Sequence, residues 1–251
     1  MVFPNPKRMH PSNHPHPQNS AQLKLLLLLS LLLLFSFAFP ALIRIRFLLY
    51  SLLALLLTQV MVKDGEGKIW SNRLYRLLGG VAITALWLWL LTPLELIYSG
   101  VPLALSWSVL VGWSIRRLIK RIARQPVIDE AMLMGAIAGY LHLGLTAGLI
   151  MGAVETIQPG SFAPLEKSLS VMSSNASNVI SVGDVFAQIN YFAFVCLTTV
   201  GFGDISPMLP MSRIISVTTS IVGPLYLAVV LGILIGRFVS VDQRPHSSDR
   251  T

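Results

Sequence analysis

Charge and cysteine are both scarce in this chain. Only 12% of its 251 residues are charged, about half the roughly 25% of a soluble globular domain. Its single cysteine, Cys196, excludes an intrachain disulfide and a multi-cysteine metal site. No pair of catalytic groups stands out in any loop, which disfavours an enzyme, and no cofactor is expected. The formal net charge of +8 would raise nucleic acid as a partner for a soluble protein. Nothing here resembles a nucleic-acid module, so that class is excluded too.

What the chain has instead is apolar length. Hydrophobic residues make up 54% of it, and the mean hydropathy is +0.69. A helix needs about 20 mainly apolar residues to cross the hydrocarbon core. Six spans fit: Leu23–Phe39, Ala41–Val62, Leu77–Ile97, Gly100–Ile115, Asp129–Ile157 and Met211–Val239. The expected class is therefore an all-α integral membrane protein of six transmembrane helices. Between the last two spans lies a long loop whose second half is again apolar. That shape suits a re-entrant helix.

Basic residues set the orientation. With both termini in the cytoplasm, fifteen Lys and Arg fall inside and four outside: Arg44, Arg46, Lys167 and Arg213. This places the 158–210 loop on the external face of a multi-pass protein of the plasma membrane. Arg44 and Arg46 are the misfits. The Leu25–Leu34 run also fits the core of a signal peptide, with Ala38 and Ala41 near a cleavage point. The long polar tail before it and the apolar span after it favour a retained helix.

The chain divides into four segments. Residues 1–22 hold five prolines and little apolar surface, and read as a disordered cytoplasmic tail. His10, His14 and His16 lie there, with prolines between them that fix no metal geometry. Residues 23–125 form a four-helix membrane domain, 126–240 the segment around the long loop, and 241–251 a short cytoplasmic tail. A voltage sensor needs arginines spaced along a span. The fourth span has none between Gly100 and Ile115. Arg116, Arg117, Lys120, Arg121 and Arg124 come after it and read as a lipid-facing linker drawn to anionic headgroups.

The stretch from Cys196 to Asp204 reads CLTTVGFGD. It resembles the signature of the potassium channel pore-loop family, of bacterial type, over 129–239. The resemblance implies a selectivity filter at Thr199, Val200, Gly201, Phe202 and Gly203. Backbone carbonyls of Thr199, Val200, Gly201 and Phe202 would replace the hydration shell of K+, the permeant ion. For successive carbonyls to face one way, the backbone must alternate in handedness, which suits Gly201 and Gly203. Val200 and Phe202 would brace the filter against a pore helix expected over Val185–Thr198, N-capped by Asp184. That helix would aim its negative C-terminal end at the cation.

Thr198, Asp204 and Tyr191 are the expected filter supports. Phe192 lacks a hydrogen-bond donor where relatives often carry Trp, Phe202 lacks a Tyr hydroxyl, and Cys196 stands where Thr is common. These departures weaken the hydrogen-bonded cuff around the filter. One pore loop per chain is a quarter of a fourfold filter, so a homotetramer is implied.

Gly223 lies twenty residues after Gly203, where the family carries its hinge glycine. Pro224 comes next and removes a helix hydrogen bond. Together they are the candidate gating hinge, with a static kink or a close packing contact as the alternative. Leu227, Leu231 and Leu234 share one face. Gly135, Gly139, Gly144, Gly148 and Gly152 suit packing of the fifth span against the sixth. His142 reads as a packed, hydrogen-bonded histidine and Glu155 as negative charge near the mouth. The alternatives are a nonselective monovalent cation channel and a non-conducting membrane scaffold or regulatory subunit. A transporter is disfavoured, because no second half repeats the first.

Overall fold

The computed structural model describes residues 17–39, 42–63, 69–91, 100–124, 130–165 and 178–242. Within them the protein is helical: α1 Pro17–Ser36, α2 Ile43–Lys63, α3 Ile69–Leu91, α4 Gly100–Arg124, α5 Glu130–Ile157, α6 Asn178–Leu197 and α7 Pro210–Asp242. Two short strands, β1 Phe162–Ala163 and β2 Ser206–Pro207, pair antiparallel. The three N-terminal histidines, the sequon Asn175-Ala176-Ser177 and the final tail lie outside the described residues.

α5 and the Pro210–Gly236 part of α7 are long and apolar enough to cross a membrane. Apolar stretches in α1, α2 and α6 are shorter: Ala21–Ser36, Ile45–Gln59 and Val185–Leu197. Three boundaries differ from expectation. α1 begins at Pro17, inside the stretch read as a disordered tail; proline suits a first helical position, where its missing N–H costs nothing. α4 runs unbroken into the basic segment, since Arg and Lys are good helix formers. α6 starts at Asn178 and runs through Asp184, which is therefore not its N-cap. One internal glycine, Gly183, costs a helix only about 1 kcal/mol.

α1 to α4 pack in sequence, and α5 lies against α1, α4, α6 and α7. On α4, Leu103, Trp107, Leu110, Val111, Ser114, Leu118 and Ile122 are buried at three- and four-residue spacing, one inward stripe. Trp107 meets Tyr50 edge-on at 5.1 Å. Arg117 lies over the Tyr75 ring at 4.8 Å and donates to Ser71 Oγ at 3.0 Å. It therefore belongs to the packed bundle, whereas Arg116 and Lys120 are exposed.

Arg46, a misfit in the charge sorting, is buried. It donates to the Ser36 carbonyl at 3.2 Å and the Phe39 carbonyl at 3.0 Å. Its charge thus closes the C-terminal end of α1, where the helix dipole is negative. A cation so held says little about orientation.

The α5 glycines face several partners, not α7 alone. A Cβ at Gly144, Gly148 or Gly152 would press on Phe194, Asn190 or Phe186 of α6, an antiparallel ladder in steps of four. A Cβ at Gly139 would meet Tyr226 of α7, and one at Gly135 would meet Leu23 of α1. Small residues here let three helices approach α5 closely. His142 is buried on α5, with Nδ1 2.6 Å from the Ala138 carbonyl of its own helix.

Candidate functional site: the loop after α6

α6 ends at Leu197, and its last carbonyls shape the loop beyond it. The Thr198 amide donates to the Phe194 carbonyl at 2.9 Å and the Thr199 amide to the Cys196 carbonyl at 3.0 Å. The amides of Val200 (3.1 Å) and Gly201 (3.5 Å) both point to the Val195 carbonyl. The Thr198 hydroxyl donates to the Phe194 carbonyl at 2.8 Å. The helix end is thereby folded into the loop.

From there the backbone changes hand at every second residue. φ is 59° at Thr199, 58° at Gly201 and 79° at Gly203, with Val200 and Phe202 outside the positive region. Glycine takes such angles freely. A β-branched residue does not, so Thr199 is a strained position that the sequence did not signal. Alternation of this kind turns consecutive peptide carbonyls toward one side, the geometry a cation-coordinating column requires. Thr198 through Asp204 are exposed in the single chain. Val200 and Phe202 are 51% and 69% exposed, so they do not brace this chain's own α6.

Asp204 closes the loop. Tyr191 of α6 donates its hydroxyl to Asp204 Oδ2 at 2.7 Å, and the Ile205 amide donates to Oδ1 at 3.0 Å. The Tyr191 hydrogen bond holds the Asp204 carboxyl below its ordinary range. Tyr191, Thr198 and Asp204 are thus brought to the loop by the structure. Phe192 turns the other way, into an apolar cluster with Phe162, Ile189, Cys196 and Ile205; its ring lies 5.5 Å from that of Phe162.

Glu155, in the last turn of α5, has backbone partners as well as a charge. Its carboxylate accepts the Gly160 amide at 2.7 Å and the Phe162 amide at 3.1 Å, fixing the turn that leads into β1. β1 pairs with β2, just beyond Asp204. The Ser161 carbonyl then takes the Met208 amide at 2.8 Å and the Ser212 hydroxyl at 2.7 Å. Sequence reasoning missed this clamp because its partners are backbone amides. The only signal in the sequence is a carboxylate at a helix end ahead of a glycine turn.

Gly223 and Pro224 lie in mid-α7, which is a continuous helix. Gly223 is pressed against the C-terminal end of α6, where a Cβ would collide with the Leu197 carbonyl. The close packing contact left open by the sequence is therefore present at Gly223. Pro224 is exposed.

Residues 168–240 match the family described as ion channels. The segment takes in α6, the loop and nearly all of α7, under a third of the chain. No curated protein matches. The matched segment is thus similar to ion channels, and it contains one of the two helices that, among the described residues, are long and apolar enough to cross a bilayer.

Proposed function

We propose that this chain is one subunit of a homotetrameric, potassium-selective channel of the plasma membrane, with both termini in the cytoplasm. The observation that carries this reading is the alternating backbone at Thr199, Gly201 and Gly203, set directly at the C-terminal end of α6. Four copies around one axis would line a pore with the carbonyls of Thr199, Val200, Gly201 and Phe202. K+ is the substrate, stripped of water at the mouth and passed down its gradient.

The fourfold assembly is supported by what one chain leaves uncovered. Val200 and Phe202 are half or more exposed, and α7 exposes Ile214, Val217, Ile221, Leu225, Leu231 and Ile235. These fall on one face of α7, which neighbouring subunits, the pore or lipid would cover. Residues 126–240 would then form the pore domain, and α1–α4 a peripheral bundle without voltage-sensing arginines. Arg116 and Lys120 are placed to meet anionic headgroups. Bending at Gly223–Pro224 would open the cytoplasmic end.

The test is flux through the purified full chain in liposomes, first under a K+ gradient and then a Na+ gradient, beside Gly201→Asp. Flux of K+ alone, lost or made unselective in the variant, supports the reading. Equal flux of both ions would make it a nonselective cation channel. A closed gate also gives no flux, so that result is followed by ion density in the assembled protein. A filter axis without ions would leave a non-conducting scaffold.

A further inference from the structure

The four carbonyls at the end of a helix have no partner within it, and at the end of α6 each has a traceable fate. Phe194 takes the Thr198 amide and hydroxyl, Val195 the Val200 and Gly201 amides, and Cys196 the Thr199 amide. All of these donors come from the loop itself. The Leu197 carbonyl, two residues before the first filter position, is served from outside. Its donor is the Tyr140 hydroxyl of α5, at 3.3 Å. Gly223 of α7 presses on the same carbonyl so closely that no side chain fits there.

Tyr140 is itself held in place. Its ring lies 6.0 Å from that of Tyr226. The Tyr226 hydroxyl donates to the Ala136 carbonyl at 2.7 Å and fills the space left by Gly139. The Tyr226 hydroxyl ties α7 to α5, and the Tyr140 hydroxyl ties α5 to the end of α6. The Leu197 peptide is thus held by α5 and touched by α7.

On the filter assignment proposed above, we propose that Tyr140 is a positioning residue for ion selectivity. Its hydroxyl fixes the Leu197 peptide and, through it, the Thr199 carbonyl. Gly223 is the contact by which movement of α7 reaches that peptide. The candidate hinge and the filter base are then mechanically one element.

The test uses the full chain in liposomes, with Tyr140→Phe beside Tyr226→Phe. Each variant keeps its ring and loses one hydroxyl bond between helices, but only Tyr140 touches Leu197. Tyr140→Phe is expected to lower the K+ over Na+ permeability ratio about fivefold, the weight of one neutral hydrogen bond. It should also raise, by a similar factor, the K+ concentration that half-protects the assembly against heating. Tyr226→Phe should lower the melting temperature equally in K+ and Na+ and leave both quantities unchanged.

If Tyr140→Phe behaves as Tyr226→Phe does, the role is merely structural and the proposal is overturned. If Tyr140→Phe fails to assemble, Gly223→Ala decides. It displaces the same carbonyl, and an unaltered ion preference there overturns the proposal too. An unmodified protein with no preference for K+ sinks the filter reading itself, a result distinct from either.

Discussion

α5 and α7 are both long apolar helices in the segment around the loop, yet they are used in opposite ways. The most apolar window of α5 is 67% buried within the chain, that of α7 only 22%. α5 spends its glycines on neighbours in its own chain, admitting Leu23, Tyr226, Phe194, Asn190 and Phe186. α7 keeps one buried edge, Ser212, Ser216, Thr219, Gly223, Tyr226 and Val230, and leaves the rest outside. α1–α5 share a packed core, although they too expose apolar residues such as Leu28, Leu48 and Leu77, while the loop and most of α7 stay exposed. The α7 span is the more apolar of the two, with a mean hydropathy of 2.1 against 1.6, so apolarity does not separate a buried helix from an exposed one.

This contrast can be broken most sharply at Trp107, fully buried on α4. Trp107→Ala should destabilise the chain by about 3–5 kcal/mol, read as a lower melting temperature. Ion preference in the molecules that remain folded should not change. A change of preference without loss of stability would show that the bundle is not the passive half.

On the open side, Gly201→Ala meets no neighbouring atom but must hold φ at 58°. The left-handed conformation costs an alanine about 1–2 kcal/mol. About a tenfold loss of K+ preference is expected, with little change in the melting of α1–α5. Normal selectivity would mean that the backbone alternation is not what discriminates.

Phe202→Ala sharpens the comparison further. Since the ring is 69% exposed, its loss should leave the helical content of the chain intact. The assembled state should weaken by a few-fold, measured as the proportion of tetramer at low concentration. A loss of helix would place Phe202 in the chain's own core.

The smallest effect concerns pH. The Asp204 carboxyl is held low by Tyr191. A depressed carboxylate contributes stability above its unfolded pKa, and loses it as pH falls through the folded value. Ion preference should therefore stay constant from neutral pH into the ordinary carboxylate range, and decline only as pH falls below it. Asp204→Asn should remove this acid limb. A decline near pH 6 would assign the effect to another group.

The candidate site was legible because its chemistry is backbone chemistry. Glycine at 201 and 203 is the trace of a φ requirement, and Asp204 with Tyr191 the trace of a polar lock. Helices were legible from apolar length, though their ends were not, and two of those described are long and apolar enough to cross a membrane. Pro17, Asp184 and the basic end of α4 are all helix-compatible, and only packing decides whether a helix continues through them. The hydrogen bonds of Arg46 and Glu155 were not legible, because their partners are backbone groups, which every sequence contains and none advertises.

What the sequence determined alone, then, is local: apolar helices, a loop with glycine at 201 and 203, and the bias of basic residues. Tertiary structure alone decided which neighbour fills each α5 glycine and that Gly223 bears on the Leu197 carbonyl. It also decided that Tyr140 closes the end of α6. These are contacts between residues up to dozens of positions apart, selected by volume and by unsatisfied carbonyls. Such matches exist only once the helices are laid side by side.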